Sequence, residues 1–75
     1  MTTITNSKEI GAAIRAERKR LGVTQKELSM TAGVGLRYLI ELEGGKATAR
    51  LEGVFKVLQV LGLKMRISTP GDGEL

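Results

Sequence analysis

Leu21-Gly-Val-Thr-Gln-Lys-Glu-Leu-Ser-Met-Thr-Ala-Gly-Val-Gly-Leu-Arg-Tyr-Leu-Ile-Glu-Leu-Glu-Gly-Gly-Lys46 is the stretch whose reading decides the fold. Thr24-Gln25-Lys26-Glu27 has the Ser/Thr-x-x-Glu spacing of a capping box, in which hydroxyl and carboxylate each satisfy an orphan backbone N–H at a helix start. A short helix follows, with Leu28, Thr31 and Ala32 on its inner side, and Gly33 breaks it. A second short helix is expected over Leu36 to Glu43, ending in Gly44-Gly45. Two short helices joined by a glycine-containing turn of three or four residues form a helix-turn-helix. The second helix of such a unit fits the major groove of DNA.

Upstream, Ile10, Ala13, Ile14 and Leu21 recur at helical spacing while Arg15, Lys19 and Arg20 face outward. Asn6 or Ser7 suits the N-cap, Glu9 the first turn, and Gly22 the position just past the end. Downstream, Thr48 is placed to cap a helix over about Ala49 to Leu61, with Leu51, Val54, Phe55, Leu58 and Leu61 as its apolar stripe. Val57 and Val60 widen that stripe into a second contact surface. After Gly62, Leu63, Met65 and Ile67 alternate with Lys64, Arg66 and Ser68, the period of a strand. A lone strand leaves its backbone unsatisfied. Pairing with the same strand of a second copy resolves this, so Val57, Val60, Leu63, Met65 and Ile67 are expected at a homodimer interface.

Composition narrows the function. Seventy-five residues make one domain, divided here into an arm (1–6), a helix-turn-helix domain (7–62), a dimerisation strand (63–68) and a flexible tail (69–75). With no Cys and no His, disulfides and Cys/His zinc sites are excluded, and a metal or cofactor is not expected. Asp72 and Glu74 lie at the very end, so residues 1–70 carry 12 basic against 6 acidic side chains, an excess that suits a polyanion. No apolar run approaches the roughly 18 residues of a membrane span, and the first residues lack the pattern of a signal peptide. A cytoplasmic location is expected. The single Asp and the absence of a carboxylate pair in a pocket argue against an enzyme.

On a helical wheel, Leu39, Leu42 and Glu43 cluster on one side of the 36–43 helix, and Arg37, Ile40 and Glu41 on the other, with Leu36 flanking Ile40. Arg37 can hold guanine N7 and O6 in a bidentate contact. Glu41 can accept from cytosine N4, or pair with Arg37 one turn away. Leu36 and Ile40 can meet thymine methyls. These four are the candidate base readers. Gln25, at a helix start, can bind a phosphate. Lys26, Tyr38, Lys46 and Thr48 flank the reading helix as further phosphate contacts. Each of these also has a plainer reading as solvated surface. Arg18 and Glu43 both face inward with opposite signs, so a structural salt bridge is expected between them.

The spaced features Thr24-Gln25, Glu27-Leu28, Gly33-Val34, Leu39, Leu42-Glu43 and Gly45-Lys46 resemble the Cro/C1-type (XRE) helix-turn-helix family of repressors over about residues 8 to 62. The resemblance implies an all-α, lambda-repressor-like domain of four to five helices. It implies that Gln25 approaches the DNA backbone and that positions 36, 37 and 41 read bases. Thr48-Ala-Arg-Leu, the helix ending Val-Leu-Gln-Val-Leu-Gly-Leu63, and Lys-Met-Arg-Ile-Ser68 look like HipB-type antitoxins. This implies a strand paired across the dimer, a HipA-type kinase toxin as partner, and repression of the protein's own operon at a palindromic site in double-stranded DNA. The alternative is a protein-interaction module that chiefly neutralises such a toxin, with DNA binding secondary.

Overall fold

The structure is a computed structural model and describes residues 3–69. Met1, Thr2 and all but the first residue of the expected 69–75 tail lie outside that range. Four helices are present among the described residues: α1 (Ser7–Arg20), α2 (Gln25–Ala32), α3 (Leu36–Glu43) and α4 (Leu51–Leu61).

Local chemistry sets the helix ends. Asn6 caps α1, its Oδ1 accepting from Glu9 N at 2.9 Å, while Glu9 Oε1 accepts from Thr5 N at 2.6 Å. These two bonds, made in opposite directions, hold the lead-in to α1, and the hydrogen bonds that the Thr5 backbone and then its hydroxyl donate to the carboxylate lower the pKa of Glu9. The capping box of α2 is complete: Thr24 Oγ1 accepts from Glu27 N at 3.0 Å, and Glu27 Oε1 accepts from Thr24 N at 2.8 Å. Gly33 follows with φ +72, and Val34 N reaches back to Ser29 O at 3.0 Å. That left-handed residue turns the chain within Gly33–Val34–Gly35 and launches α3 at an angle to α2.

The core is built from Ile14 of α1, Leu28 and Ala32 of α2, Leu39 and Leu42 of α3, and Val54, Val57, Leu58 and Leu61 of α4. Full burial of each large aliphatic side chain stabilises the fold by about 1.5–3 kcal/mol. Two helical glycines let the helices close on this core. A Cβ at Gly11 would sit on the Leu42 carbonyl oxygen, and one at Gly53 would strike the Tyr38 ring. Each costs about 0.8–1 kcal/mol of helix propensity, and the close approach is what is gained.

Several expectations need correction. α4 begins at Leu51 with Arg50 as N-cap and no side-chain cap bond, not at Ala49 with Thr48 capping. A turn closed by Ala49 N to Lys46 O and an extended Arg50 occupy that stretch instead. Val57 is wholly buried, so it belongs to the protomer's own core and cannot line an interface. The stripe of α4 is rotated accordingly: Leu51 and Phe55 are exposed, at 59% and 47%, because α1 and α2 pack on the 54/57/58/61 side. Leu21 is exposed as the C-cap of α1, and Thr31 is exposed, its hydroxyl donating to Glu27 O. Ser29 takes the inner place expected of Thr31. No strand is present among the described residues: 63–69 make no ladder within the single chain, and Ile67 is 93% exposed.

Candidate nucleic-acid interface

α3 divides into two faces. Leu39, Leu42 and Glu43 are buried, whereas Leu36, Arg37 and Ile40 are exposed and Glu41 is partly so. The Arg37 side chain is 91% exposed. The four candidate base readers thus form one contiguous outward strip on a helix whose other side is fixed in the core.

What fixes it is a polar knot. Arg18 Nε and Nη2 donate to Glu43 Oε2 and Oε1 at 2.7 and 3.1 Å, in the fork geometry that suits a guanidinium and a carboxylate. Arg18 Nη1 donates to Val23 O at 2.8 Å, and Gln25 Nε2 donates to Glu43 Oε1 at 3.0 Å. The knot therefore ties α1, the α1–α2 loop, α2 and α3 together at one point. Both charges are 8% exposed, and no buried side-chain nitrogen or oxygen among the described residues lacks a partner. The link to Gln25 was not visible in the sequence. It commits one amide hydrogen to Glu43, while among the described residues the amide oxygen and the backbone N–H groups of Gln25 and Lys26 form no hydrogen bond.

The outer face carries a second, looser set of charges. Glu41 Oε1 accepts from Lys46 Nζ at 3.0 Å, and Glu41 Oε2 lies 3.5 Å from Arg37 Nε. The Lys46 ammonium, and after it Arg37, lowers the pKa of Glu41 below the usual carboxylate range. Lys26, in the first turn of α2, and Thr48, between α3 and α4, are exposed to solvent or a ligand.

Tyr38 departs from the flanking role expected of it. Its ring packs on Gly53 and its hydroxyl donates to the Arg50 carbonyl. Burial raises the phenol pKa, so the group stays protonated and donating. The hydroxyl is committed to the start of α4 and is not a free phosphate donor. The glycine at 53, inside a helical pattern, was the signal available for this contact.

Among the described residues no group of His, Cys, Asp and Glu side chains is placed to hold a metal ion. No helix there is long and apolar enough to cross a membrane. What the arrangement offers is a protruding helix face with one extended guanidinium, two apolar side chains, and cations at its border. It suits the floor and walls of a DNA groove.

Residues 14–67 match the family described as Helix-turn-helix. A curated relative, the uncharacterised HTH-type transcriptional regulator y4mF of Sinorhizobium fredii, is 47% identical over 64 residues, covering 85% of this chain and 84% of that protein. The chain is also similar to solved structures described as the HipB–O4 20mer complex and the HipA–HipB–O2–O3 complex. Each has a TM-score of 0.84 at 26% identity, over 92% of this chain and 97% of the other.

Proposed function

Because the chain belongs to the helix-turn-helix family of DNA-binding transcriptional regulators, we propose that it is a homodimeric repressor that reads a palindromic operator through the outer face of α3. The observation that carries this is the division of α3: Leu36, Arg37, Ile40 and Glu41 are outward on a helix whose inner side is locked by the Arg18–Glu43–Gln25 knot. Arg37 is the guanine reader, with Leu36 and Ile40 against thymine methyls. Gln25, Lys26, Lys46 and Thr48 meet the backbone. Two copies related by a twofold axis would contact half-sites about 34–36 Å apart.

Dimerisation uses Val60, Leu63, Met65 and Ile67, joined by the exposed Leu51 and Phe55. Residues 63–68 pair with their counterpart in the second copy. Their alternation, the lack of any ladder partner for them among the described residues and the exposure of Met65 and Ile67 support this. In domain terms, 7–62 form the DNA-binding unit and 63–68 the dimerisation strand. The protein works in the cytoplasm without catalysis of its own.

The likeness to HipB, which is seen both in a 20mer complex and in a complex with HipA, supports a finer assignment. The protein is the antitoxin of an autoregulated toxin–antitoxin operon, and a HipA-type toxin is its protein partner. A second reading, in which toxin neutralisation is the main task, rests on the same HipA complex.

The test is fluorescence anisotropy with a duplex from the region upstream of the gene and with an unrelated duplex, at two salt concentrations. Selective binding that weakens steeply with salt is expected. Equal affinity for both duplexes would overturn the operator reading, and capture of a HipA-type toxin by a variant unable to bind DNA would favour the second one.

A further inference from the structure

We propose that Glu41 is a specificity-setting residue that works without contacting a base: it acts as an internal stand-in for phosphate, holding Lys46 out of sequence-independent binding while it steadies Arg37. This rests on the DNA-reading role of α3 proposed above.

The geometry is that of a carboxylate in use from both sides. Its Oε1 accepts from Lys46 Nζ at 3.0 Å and its Oε2 faces Arg37 Nε at 3.5 Å. A cytosine amino group would have to share the carboxylate with two cations already beside it, which weakens Glu41 as a base reader without removing its free lone pairs. A carboxylate offers Lys46 the same chemistry as a phosphate, two oxygens sharing a negative charge. A phosphate of any sequence must therefore compete with Glu41 for the ammonium. It must also approach a face on which Glu41 cancels one positive charge.

The effect on Arg37 is different. The pairing uses Nε, and no hydrogen bond within the described residues engages the terminal Nη nitrogens. The fork that grips guanine N7 and O6 stays available while the stem of the side chain is steadied. Glu41 thus weakens contacts that any DNA can make and spares the one that only a guanine can make. Its net effect is to widen the gap between specific and non-specific binding, a discrimination built from a repulsive element as well as an attractive one.

The test compares the wild type with Glu41→Gln, which keeps the shape and removes the charge, using the upstream-region duplex and an unrelated duplex across 50 to 200 mM salt. At 50 mM salt the variant is expected to bind the unrelated duplex about three- to tenfold more tightly. Its log–log salt slope should steepen by about 0.9, the value for one added unit of charge against phosphate. The upstream duplex should gain less, so selectivity falls. In the Lys46→Ala background the gain from Glu41→Gln should shrink, a coupling that a merely structural role would not produce. Matched melting curves verify that both variants fold. Unchanged or weaker binding of the unrelated duplex by Glu41→Gln would overturn the proposal. So would a loss of discrimination at a single base pair of the upstream duplex, which would mark Glu41 as a base reader. Failure of the DNA-reading role itself has another signature, in which neither protein binds either duplex at 50 mM salt, and the proposal falls with it.

Discussion

Two arginine–glutamate pairs lie on opposite sides of α3. Arg18 and Glu43 are almost wholly buried and joined by two hydrogen bonds, and Arg37 and Glu41 lie outside at 3.5 Å with Lys46 sharing the carboxylate. The chemical groups are the same, and solvation separates their roles. Inside, each charge has lost its water and depends on its partner, so the pair acts as a fastener whose failure is expensive. Outside, water competes for both partners, the pair adds little to folding, and its charges stay available to a ligand.

The sharpest way to break the contrast is Arg18→Ala. It strands Glu43 in the interior and should cost about 3–5 kcal/mol of stability in urea denaturation. Replacing both partners with apolar residues, Arg18→Met with Glu43→Leu, should cost much less than the single change. A double variant as unstable as the single one would mean that the charges themselves, and not their being left unpaired, hold the helices together.

Next in size is Arg37→Ala. Folding stability should stay within about 0.5 kcal/mol, as for surface positions generally. Discrimination at one base pair per half-site should fall by about 1–3 kcal/mol, read from anisotropy with single-base substitutions in the duplex. A loss of folding stability comparable to that of Arg18→Ala would erase the distinction between the faces.

A third measurement concerns the end of the chain. Met65→Pro removes a donor from the proposed cross-dimer ladder and should shift the sedimenting species from dimer towards monomer while the α1–α4 core stays folded. An unchanged dimer would sink the strand pairing and leave the α4 flank as the interface.

The smallest effect is electrostatic. Glu41, Glu27 and Glu9 all titrate below the ordinary carboxylate range, through Lys46, the Thr24 backbone and the Thr5 backbone respectively. Each has a depressed folded-state pKa, so its contribution is present above the unfolded value and is lost as pH falls through the folded one. The melting temperature should therefore drop on acidification below about pH 4.5. Glu27→Gln, which keeps the capping geometry, should remove part of that slope. By NMR titration, Lys46→Ala should return the Glu41 carboxyl towards its ordinary value.

The sequence made local features legible. The capping box, the 36–43 helix and the inward Arg18 and Glu43 all follow from short-range periodicity and the cost of burying charge. Long-range facts were less accessible. A wheel shows that α4 is apolar over a wide arc but not which part of the arc its neighbours cover, so it cannot tell that Val57 is buried and Phe55, in the main stripe, is exposed. Tyr38 looked like a border residue because its acceptor, the Arg50 carbonyl, is twelve positions away. The Gln25–Glu43 bond spans eighteen. The alternation of residues 63–68 names a strand period but no partner, and a single chain supplies none among its described residues.

The seat of the Tyr38 ring on Gly53 has a consequence at a larger scale. It fixes α3 to α4 by a ring lying on a backbone, a joint with no side chain on one side to flex or swap rotamers. In an assembly of two copies clamped along α4 and the segment after it, the separation of the two α3 helices would be transmitted through two such joints together with the core that α1 and α2 share with both helices. The protein would then carry a ruler graduated in base pairs, and a methyl group added at position 53 would alter the spacing it measures without touching a residue that meets DNA.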